Sequence, residues 1–379
     1  MRVEPLLLRR LAIATLVAFL LGGCGSKGPK PAPLPEFKPA AKLRVEWRAN
    51  IGSAGRYLFE PALYQDGVYA AGGRGDIVRL NAATGKAVWR VDTKSPLSGG
   101  VGVGENMVMV GTAKGAVLAY DLDGKPLWKS TVSSEVLSAP QAARGFVVVR
   151  SGDSRIFGLD AKDGSRRWEF QTITPPLTLR ANPGVIIVEG LVVAGMPAGK
   201  LAVLNLANGG VVWETAVAAP KGDNELERIT DIAGAPLVEQ QEVCAVTFQG
   251  RAACYDIERG GQLWARTASS VGGVASDDLS VYLAEDTGAV VALDKKTGAS
   301  VWKQDKLSYR SPSTPLAFGN HVVVGDFDGQ IHFLKIEDGS FAARIDTDGG
   351  GIAAAPRRVD DKVLVQTRKG GVYAIKLRD

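Results

Sequence analysis

The stretch Val117-Leu-Ala-Tyr-Asp121-Leu-Asp-Gly124-Lys-Pro-Leu-Trp128 contains the whole unit from which this chain is built. An apolar, strand-like run ends in Asp, a short turn ends in Gly, and Trp follows four residues after the Gly. Versions of this unit recur along the chain, with Trp at positions 47, 89, 128, 168, 213, 264 and 302. A period of about 40 residues with this strand content is typical of a β-propeller.

The strand-like run occurs eight times, beginning at Ile77, Val117, Ile156, Leu201, Ala252, Val290, Ile331 and Val372. Between consecutive copies there is room for two further strands, so each unit predicts a four-stranded blade. The runs are apolar at successive positions, which suits sheets that are covered on both faces by neighbouring blades. We therefore predict an all-β fold, an eight-bladed propeller of four-stranded antiparallel blades.

The last copy is incomplete, because the chain ends at Asp379 before an outer, Trp-bearing strand can follow. Val45-Glu-Trp47 stands at the other end of the repeat region with no strands before it. We predict that this N-terminal strand, residues 45–49, completes the eighth blade. Such a closure would hide two sheet edges that are otherwise open to unwanted pairing.

Two intervals in the repeat are longer than the others. The Trp-to-Trp spacing is 45 after Trp168 and 51 after Trp213, against 38 to 42 elsewhere. The extra residues form a first insertion (171–180) and a second insertion (219–231). Because strands alternate in direction, links from one blade to the next emerge on one face, and we expect the two insertions to lie side by side.

The N-terminus resembles a signal peptide, residues 1–23, with a lipobox. Arg9-Arg10 precedes a short apolar run, and Leu21-Gly-Gly-Cys24 follows it. The apolar run is too short to span a membrane comfortably. The lipobox makes Cys24 the lipid-modified first residue of the mature chain. The alternative is an ordinary secreted protein with an unmodified cysteine.

Gly25 follows this cysteine, whereas lipoproteins kept in the inner membrane commonly carry Asp there. We therefore expect a lipid anchor in the outer membrane, on its periplasmic face. Residues 24–41 include five prolines and predict an extended tether that reaches up to about 50 Å. The propeller would then occupy residues 42–379.

The charge excludes a nucleic-acid partner. The net charge of +5 falls to +3 when Arg2, Glu4, Arg9 and Arg10 leave with the signal peptide. The sequence shows no run of Lys and Arg and no aromatic stripe of the kind that phosphate backbones require.

The chain offers few groups for chemistry, with just two histidines. His332 replaces residues such as Val78 and Leu118 at its repeat position, which indicates a structural role, and His321 lies in a turn that we expect to be solvated. Asp326-Phe-Asp328-Gly329 begins like a calcium loop but lacks the remaining ligand series. We predict no catalytic residue, no metal site and no cofactor.

The residues that recur in every unit have structural explanations. The aspartates at positions 121, 160, 256 and 294 open the turn before Gly, where Asp satisfies turn backbone groups and Gly accepts a positive φ. Trp supplies one large ring per blade for packing. Cys244 and Cys254 face each other across a short turn, and either a cross-strand disulfide or two reduced core cysteines fits the sequence.

Repeat, lipobox and tether together resemble the BamB family of outer-membrane assembly lipoproteins. The resemblance implies a non-catalytic scaffold that binds the periplasmic domains of BamA and assists folding and insertion of outer-membrane β-barrel proteins, with unfolded clients as further partners. It assigns partner binding to a Leu-x-Leu-Arg segment, here Leu177, Leu179 and Arg180. Of the family's Asp-x-Asp segment Asp231 is present, whereas Ala233 replaces the second aspartate.

Two other functions compete with this one. A PQQ-dependent periplasmic dehydrogenase shares the repeat, but the adjacent-cysteine pair of many such enzymes is missing and the chain is short for that class. A propeller that binds a small ligand in its central channel is the other alternative.

Overall fold

Eight four-stranded antiparallel sheets make up the computed structural model, which describes residues 29–181 and 183–378. The predicted signal peptide and Cys24 lie outside the described residues. Within the described residues, no helix is both long enough and apolar enough to cross a membrane.

The first four blades follow one another along the chain, each as an antiparallel meander from an inner to an outer strand. Strand β1 (Lys42–Asn50) belongs to the last blade and is described with it. Blade 1 contains β2 (Ala62–Tyr64), β3 (Gly67–Ala71), β4 (Asp76–Asn81) and β5 (Ala87–Asp92). Blade 2 contains β6 (Leu97–Gly104), β7 (Met107–Thr112), β8 (Ala116–Asp121) and β9 (Pro126–Thr131). Blade 3 contains β10 (Gln141–Ala143), β11 (Phe146–Arg150), β12 (Ile156–Asp160) and β13 (Arg166–Phe170). Blade 4 contains β14 (Val185–Val188), β15 (Leu191–Gly195), β16 (Lys200–Asn205) and β17 (Val211–Ala216), with a 3-10 turn at Pro197–Gly199.

The remaining blades repeat the pattern, and the last one ends with a strand from the N-terminus. Blade 5 contains β18 (Leu237–Glu239), β19 (Glu242–Val246), β20 (Gly250–Asp256) and β21 (Gln262–Ala268). Blade 6 contains β22 (Val274–Ser276), β23 (Ser280–Ala284), β24 (Val290–Asp294) and β25 (Ser300–Gln304). Blade 7 contains β26 (Leu316–Phe318), β27 (His321–Gly325), β28 (Gln330–Lys335) and β29 (Phe341–Asp346). Blade 8 contains β30 (Arg357–Val359), β31 (Lys362–Gln366), β32 (Gly371–Arg378) and, as its outer strand, β1 (Lys42–Asn50).

The predicted ring closure is confirmed. β1 pairs antiparallel with β32 from Lys42 opposite Arg378 to Asn50 opposite Gly371, with one irregularity between Val45 and Trp47. Eight apolar clusters fill the eight spaces between neighbouring blades, and one of them joins Trp47 and Ile51 to blade 1. Each blade therefore buries its faces against two neighbours, as repeat proteins require.

The repeated Trp clamps each blade to the next one. Its indole Nε1 donates to a carbonyl in the hairpin between the third and fourth strands of the following blade, at 2.7 to 2.9 Å in all seven cases. The turn Gly of that hairpin lies under the ring, so a Cβ on Gly85 would come within 2.5 Å of Trp47. Its φ of 68° also favours glycine.

The turn-opening Asp or Asn acts on its own hairpin. The Asp121 carboxylate accepts the backbone N–H groups of Asp123 and Lys125, and Asp294 accepts that of Thr297. These contacts bear out the structural interpretation of the repeated acidic residues.

Blade 7 lacks the Trp, and the structure shows why. Ala343 stands at its position, and the following blade has no hairpin between its third and fourth strands, because these are β32 and β1, which are not consecutive in the chain. The outer strand of blade 7 is instead covered by residues 32–41, which we call the docked segment. Ala40 N–H donates to Ala342 O at 2.8 Å, and the Phe37 ring stacks on Phe341 with centroids 5.4 Å apart.

Arginine side chains hold the rest of the docked segment. Arg344 Nη1 donates to Pro35 O at 3.1 Å, Arg310 Nη1 donates to Ala32 O at 3.0 Å, and Ala32 N–H donates to Ser308 O at 2.9 Å. The sequence predicts a tether that is extended from Cys24 to Ala41 and holds the propeller away from the lipid. Residues 32–41 do not add to that distance, because they lie against blade 7. Proline-rich composition favours an extended chain but does not reveal that hydrogen-bond donors on blade 7 would bind its carbonyl groups.

The two faces of the ring differ in what they carry. The face that holds the turns between second and third strands also holds the links from each outer strand to the next blade, and we call it the link face. The opposite face holds the remaining hairpins. Both insertions belong to links, so both emerge on the link face.

Candidate functional site: the link face at blades 3 to 5

The two insertions are joined by Asp231. Its Oδ2 accepts the backbone N–H of Leu179 at 2.6 Å, and its Oδ1 accepts that of Ala198 at 2.9 Å. Asp231 is just 4% exposed. The predicted juxtaposition of the insertions is confirmed, but Asp231 acts as an internal anchor and its carboxylate is not presented at the surface.

Arg150 lies beneath this junction, at the end of β11. It is buried, and its Nη1 donates to the backbone oxygen of Gly195. Burial lowers the pKa of Arg150 to about 10, while the nearby Asp231 carboxylate opposes that shift. The guanidinium remains charged at neutral pH, so a buried cation lies near the Asp231 carboxylate under the first insertion.

Arg180 points away from this pair. About half of its side chain is exposed, and its Nε lies 3.4 Å from Glu135 Oε1. The pKa of Glu135 is lowered, chiefly by a hydrogen bond from Ser134 and to a smaller extent by Arg180. Arg180 and Asp231 line the same cleft, but Arg180 pairs with Glu135, because the Asp231 oxygens are occupied by backbone N–H groups.

Glu135 is a residue that the sequence reasoning missed. It lies in the link between blades 2 and 3, one link before the first insertion, and therefore on the same face. Its position in a link next to a long insertion was a usable signal. Nothing in its local sequence distinguishes it from other surface carboxylates.

Both insertions expose apolar side chains. Leu177 is 43% exposed, Ile173 is 92% exposed and Leu226 is 67% exposed, whereas Leu179 is half-buried. Pro175 and Pro176 precede Leu177 and limit the conformations of the loop. Exposed apolar groups bordered by charge are a feature of interaction surfaces.

The second insertion holds Leu226 in a capped turn. Asn224 Oδ1 accepts the N–H groups of Leu226 and Glu227, both at 3.1 Å, while Glu227 Oε2 accepts that of Asp223 at 2.8 Å. This reciprocal arrangement has the geometry of a capping box. Glu227, which the half-matched acidic motif made a candidate, is thus engaged within its own turn.

Between the insertions lies a cleft of about 30 Å³, lined by Arg150, Leu179, Arg180 and Asp231 among others. That volume accommodates roughly one or two water molecules. An open groove of about 570 Å³ lies at the rim between blades 5 and 6, where Lys303 pairs with Glu285 and Arg266 Nε donates to Gly298 O. In neither space do unpaired polar groups of the described residues converge on one point, as they do in a typical small-molecule site.

The histidines and Asp326 are engaged in packing. His332 and Asp326 are fully buried, with His332 Nε2 3.1 Å from Asp326 Oδ2, and Arg310 Nε donates to the same oxygen at 2.7 Å. Burial lowers the pKa of His332. Arg310 also binds Asp328 at 2.8 Å, so the segment that begins like a calcium loop holds an arginine.

His321 differs from its prediction. It is half-buried with its ring edge against Phe333, and burial lowers its pKa. The turn that precedes it is exposed, but β27 begins at His321 itself, so its side chain packs with the strand. Across residues 29–181 and 183–378, no group of three or more His, Cys, Asp and Glu side chains has an arrangement that could hold a metal ion.

The two cysteines are direct partners in the β19–β20 pair, and their sulfurs are bonded. They lie in the apolar cluster between blades 5 and 6. The bond is therefore remote from the insertions and belongs to the core.

Comparison with known proteins places this geometry in a family. The family model described as "Outer membrane protein assembly factor BamB" matches residues 73–304. A protein of that name from Burkholderia pseudomallei (strain K96243) is 43% identical over 349 residues, which is 92% of this chain and 92% of the relative. Another from Nitrosomonas eutropha is 46% identical over 339 residues, 89% of this chain and 83% of the relative.

Solved structures agree on the fold. The crystal structure of BamB from Moraxella catarrhalis superimposes with a TM-score of 0.83 at 24% identity and covers 88% of this chain and all of that one. Quinohemoprotein alcohol dehydrogenase from Comamonas testosteroni has a TM-score of 0.72 at 14% identity, covering 88% of this chain and 76% of that chain, and shares the fold alone. On the family match and the full-length identities, the chain belongs to the BamB family of outer membrane protein assembly factors.

Proposed function

We propose that this chain is a non-catalytic scaffold of the β-barrel assembly machinery that binds the periplasmic domains of BamA through its two insertions. The supporting observation is that Leu177 and Arg180 are exposed on a loop whose backbone is fixed by the buried Asp231. Compact apolar anchors beside an arginine are typical of interface hot spots. Asp231 contributes by positioning this loop, and Glu135 orients Arg180.

Membrane attachment is the second part of the proposal. Cys24 carries the lipid, and the protein lies at the periplasmic face of the outer membrane. The docked segment begins at Ala32, so seven residues separate it from Cys24. This short connection keeps the propeller close to the lipid surface.

A non-catalytic role rests on what occupies the link face. The cleft between the insertions is too small for a substrate; of the charged groups that line it, the Asp231 carboxylate binds the loop backbone and the Arg150 guanidinium donates to Gly195 O at the end of β15. The scaffold would assist folding and insertion of outer-membrane proteins by holding BamA and its unfolded clients together.

Affinity purification of the lipidated protein from detergent-solubilised membranes tests the contact. Leu177→Asp should remove BamA from the purified material, because it places a charge in an apolar interface. Leu127→Asp is the matched control, since Leu127 is 50% exposed on the outer strand of blade 2, and it should leave recovery unchanged. Equal recovery with both variants would refute the assignment.

A further inference from the structure

The link face has a positively charged region on the half opposite the insertions. Over blades 8, 1 and 2 its turns and links expose mostly cations. We call this region the basic crescent, formed by Arg56, Arg74, Lys94, Lys114, Arg368 and Lys369, all of them exposed.

Backbone contacts make the crescent continuous. Ala54 N–H donates to Arg368 O at 3.0 Å, and Gly73 N–H donates to Ser53 O at 2.9 Å. Thr93 N–H donates to Gly75 O at 2.9 Å, and Leu97 pairs with Thr112, next to the turn that holds Lys114. The six cations therefore lie on segments that touch one another in sequence around the ring.

Most of this charge is not neutralised within the described part of the chain. Lys94 pairs with Asp92 at 2.7 Å, whereas the other five cations have no carboxylate within ion-pair distance there. Of the nearby carboxylates, Asp76 pairs with Arg90 at 3.1 Å and Glu135 pairs with Arg180 at 3.4 Å. Asp348 accepts the neutral Thr367 hydroxyl at 2.8 Å and therefore offsets part of the crescent's charge. The crescent thus presents an excess of positive charge to an external partner.

The other half of the link face has the opposite balance. The links and turns of blades 4 to 6 expose the carboxylates of Asp223, Glu225, Glu227, Asp286 and Asp305, against the cations Lys221, Arg228 and Lys306. The excess of positive charge accordingly lies on the crescent side, although Arg180 of the first insertion is also exposed. An anionic surface would attract the crescent side more strongly than the side with the insertions.

The docked segment begins on the link face at blade 7, between the two halves. Ala32 is held on the link face of blade 7 by Ser308 and Arg310, and Phe327 N–H donates to Arg310 O at 3.1 Å. The turn at Asp326 then bonds Ile352 of the next link, and Gly351 O accepts the N–H of Arg368. The chain therefore leaves the propeller one blade away from the crescent.

The length of the remaining chain limits the distance to the membrane. Eight residue steps separate Cys24 from Ala32, which limits the distance between them to about 25 Å at roughly 3 Å per residue. A lipid on Cys24 would hold the link face at blade 7 within that distance of the headgroups. Electrostatic attraction between exposed charges acts over about one Debye length, roughly 8 Å. A tether of this length allows the crescent to come within that distance of the headgroups.

We infer that the basic crescent binds anionic phospholipid headgroups of the membrane that holds the anchor. The inference rests on the proposed lipidation of Cys24. A single lipid chain with a polybasic patch gives two membrane signals that reinforce each other. The disc then tilts toward the bilayer at blades 8 to 2, and the insertions on the opposite half remain accessible to BamA.

Vesicle co-sedimentation tests the crescent without the lipid anchor. The mature chain, residues 24–379 with Cys24→Ser, retains all the contacts described above, since these begin at Ala32. It should bind phosphatidylcholine vesicles that contain about one third phosphatidylglycerol, bind pure phosphatidylcholine much less, and dissociate in high salt.

Arg74→Glu combined with Arg368→Glu should lower partitioning to the anionic vesicles about tenfold or more. Lys221→Glu combined with Arg228→Glu is the matched reversal on the insertion side and should have little effect. Unchanged melting temperatures show that both variants fold. Absence of anionic-vesicle binding by the parent chain, or equal binding by both double variants, would overturn the inference.

The outcome separates this inference from the proposed function. If the crescent variant loses BamA while its vesicle binding is unchanged, the crescent binds an acidic protein surface and the lipid assignment is wrong. Loss of BamA with Leu177→Asp is measured independently, and mass spectrometry of Cys24 tests lipidation by itself.

Discussion

The seven Trp-clamped blade junctions are nearly identical, whereas the two insertions resemble nothing else in the chain. At each junction an indole bonds a hairpin carbonyl and covers a glycine, and these contacts fully account for the repeated residues. In the insertions, the buried Asp231 holds a loop with exposed leucine and arginine. The difference teaches that repetition in this chain marks stability, whereas the proposed binding surface lies where the repeat is broken.

The junction between blades 7 and 8 is an informative exception. It lacks the Trp because the hairpin that would receive an indole is replaced by β32 and β1, two strands that are far apart in the sequence. The docked segment takes over the covering role, with Phe37 on Phe341. One irregularity of the repeat therefore belongs to stability, and it also determines where the N-terminus leaves the ring.

Removal of β1 should have the largest effect on the ring. A chain beginning at Ile51 loses the outer strand of blade 8 and Trp47, which leaves the edge of β32 open. We expect loss of cooperative thermal unfolding, measured by circular dichroism. A chain beginning at Ala32 is the control and should unfold like the mature protein; cooperative unfolding of both would contradict the closure.

Trp128→Ala tests one ordinary junction. It removes the hydrogen bond to Ala161 O and the ring that covers Gly164, and should lower the free energy of unfolding by about 3 kcal/mol. Leu127→Ala, at the exposed neighbouring position, should change it by less than about 0.5 kcal/mol. Similar free energies of unfolding for the two variants in urea titrations would show that the Trp contacts do not stabilise the junction.

The cysteine pair gives the next smaller effect. Replacing both Cys244 and Cys254 by Ala should lower the free energy of unfolding by about 2 kcal/mol, because the bond closes a short loop within the core of blades 5 and 6. Alanine already fills the position of Cys254 in other blades, as at Ala119 and Ala292. Alkylation of both thiols in the native, unreduced protein would contradict the bond.

His332 predicts a small pH dependence of stability. Burial lowers its pKa in the folded state, so the unfolded chain binds the proton more readily. Stability is fully present above the unfolded value of about 6.5 and is lost as the pH falls below it. His332→Gln should flatten this slope in urea titrations, although His321, whose pKa is also lowered, retains a share; an unchanged slope would assign the effect elsewhere.

The sequence predicted the ring well because its information is local. The strand runs, the turn glycines and the Trp spacing repeat within each unit, and the unpaired strand at Trp47 matched the strand missing after Val372. The position of the insertions followed from strand direction alone. These features require no knowledge of distances between remote residues.

The site was predicted less completely, since its contacts cross between links. Arg180 pairs with Glu135, 45 positions away, and Asp231 bonds the backbone of Leu179 across 52 positions. The docked segment depends on Arg310 and Arg344, more than 270 positions away. Local pattern and composition carry no signal for such pairs.

The central claim is that the insertions bind BamA while the repeats merely hold them. The most direct measurement is the Kd of purified protein for the periplasmic domains of BamA, with the melting temperature of the same samples. Arg180→Glu should weaken binding at least about tenfold, a loss near 1.4 kcal/mol, and leave melting almost unchanged. Arg259→Glu, on the opposite face, should alter neither; binding by Arg180→Glu at the parent affinity would contradict the account.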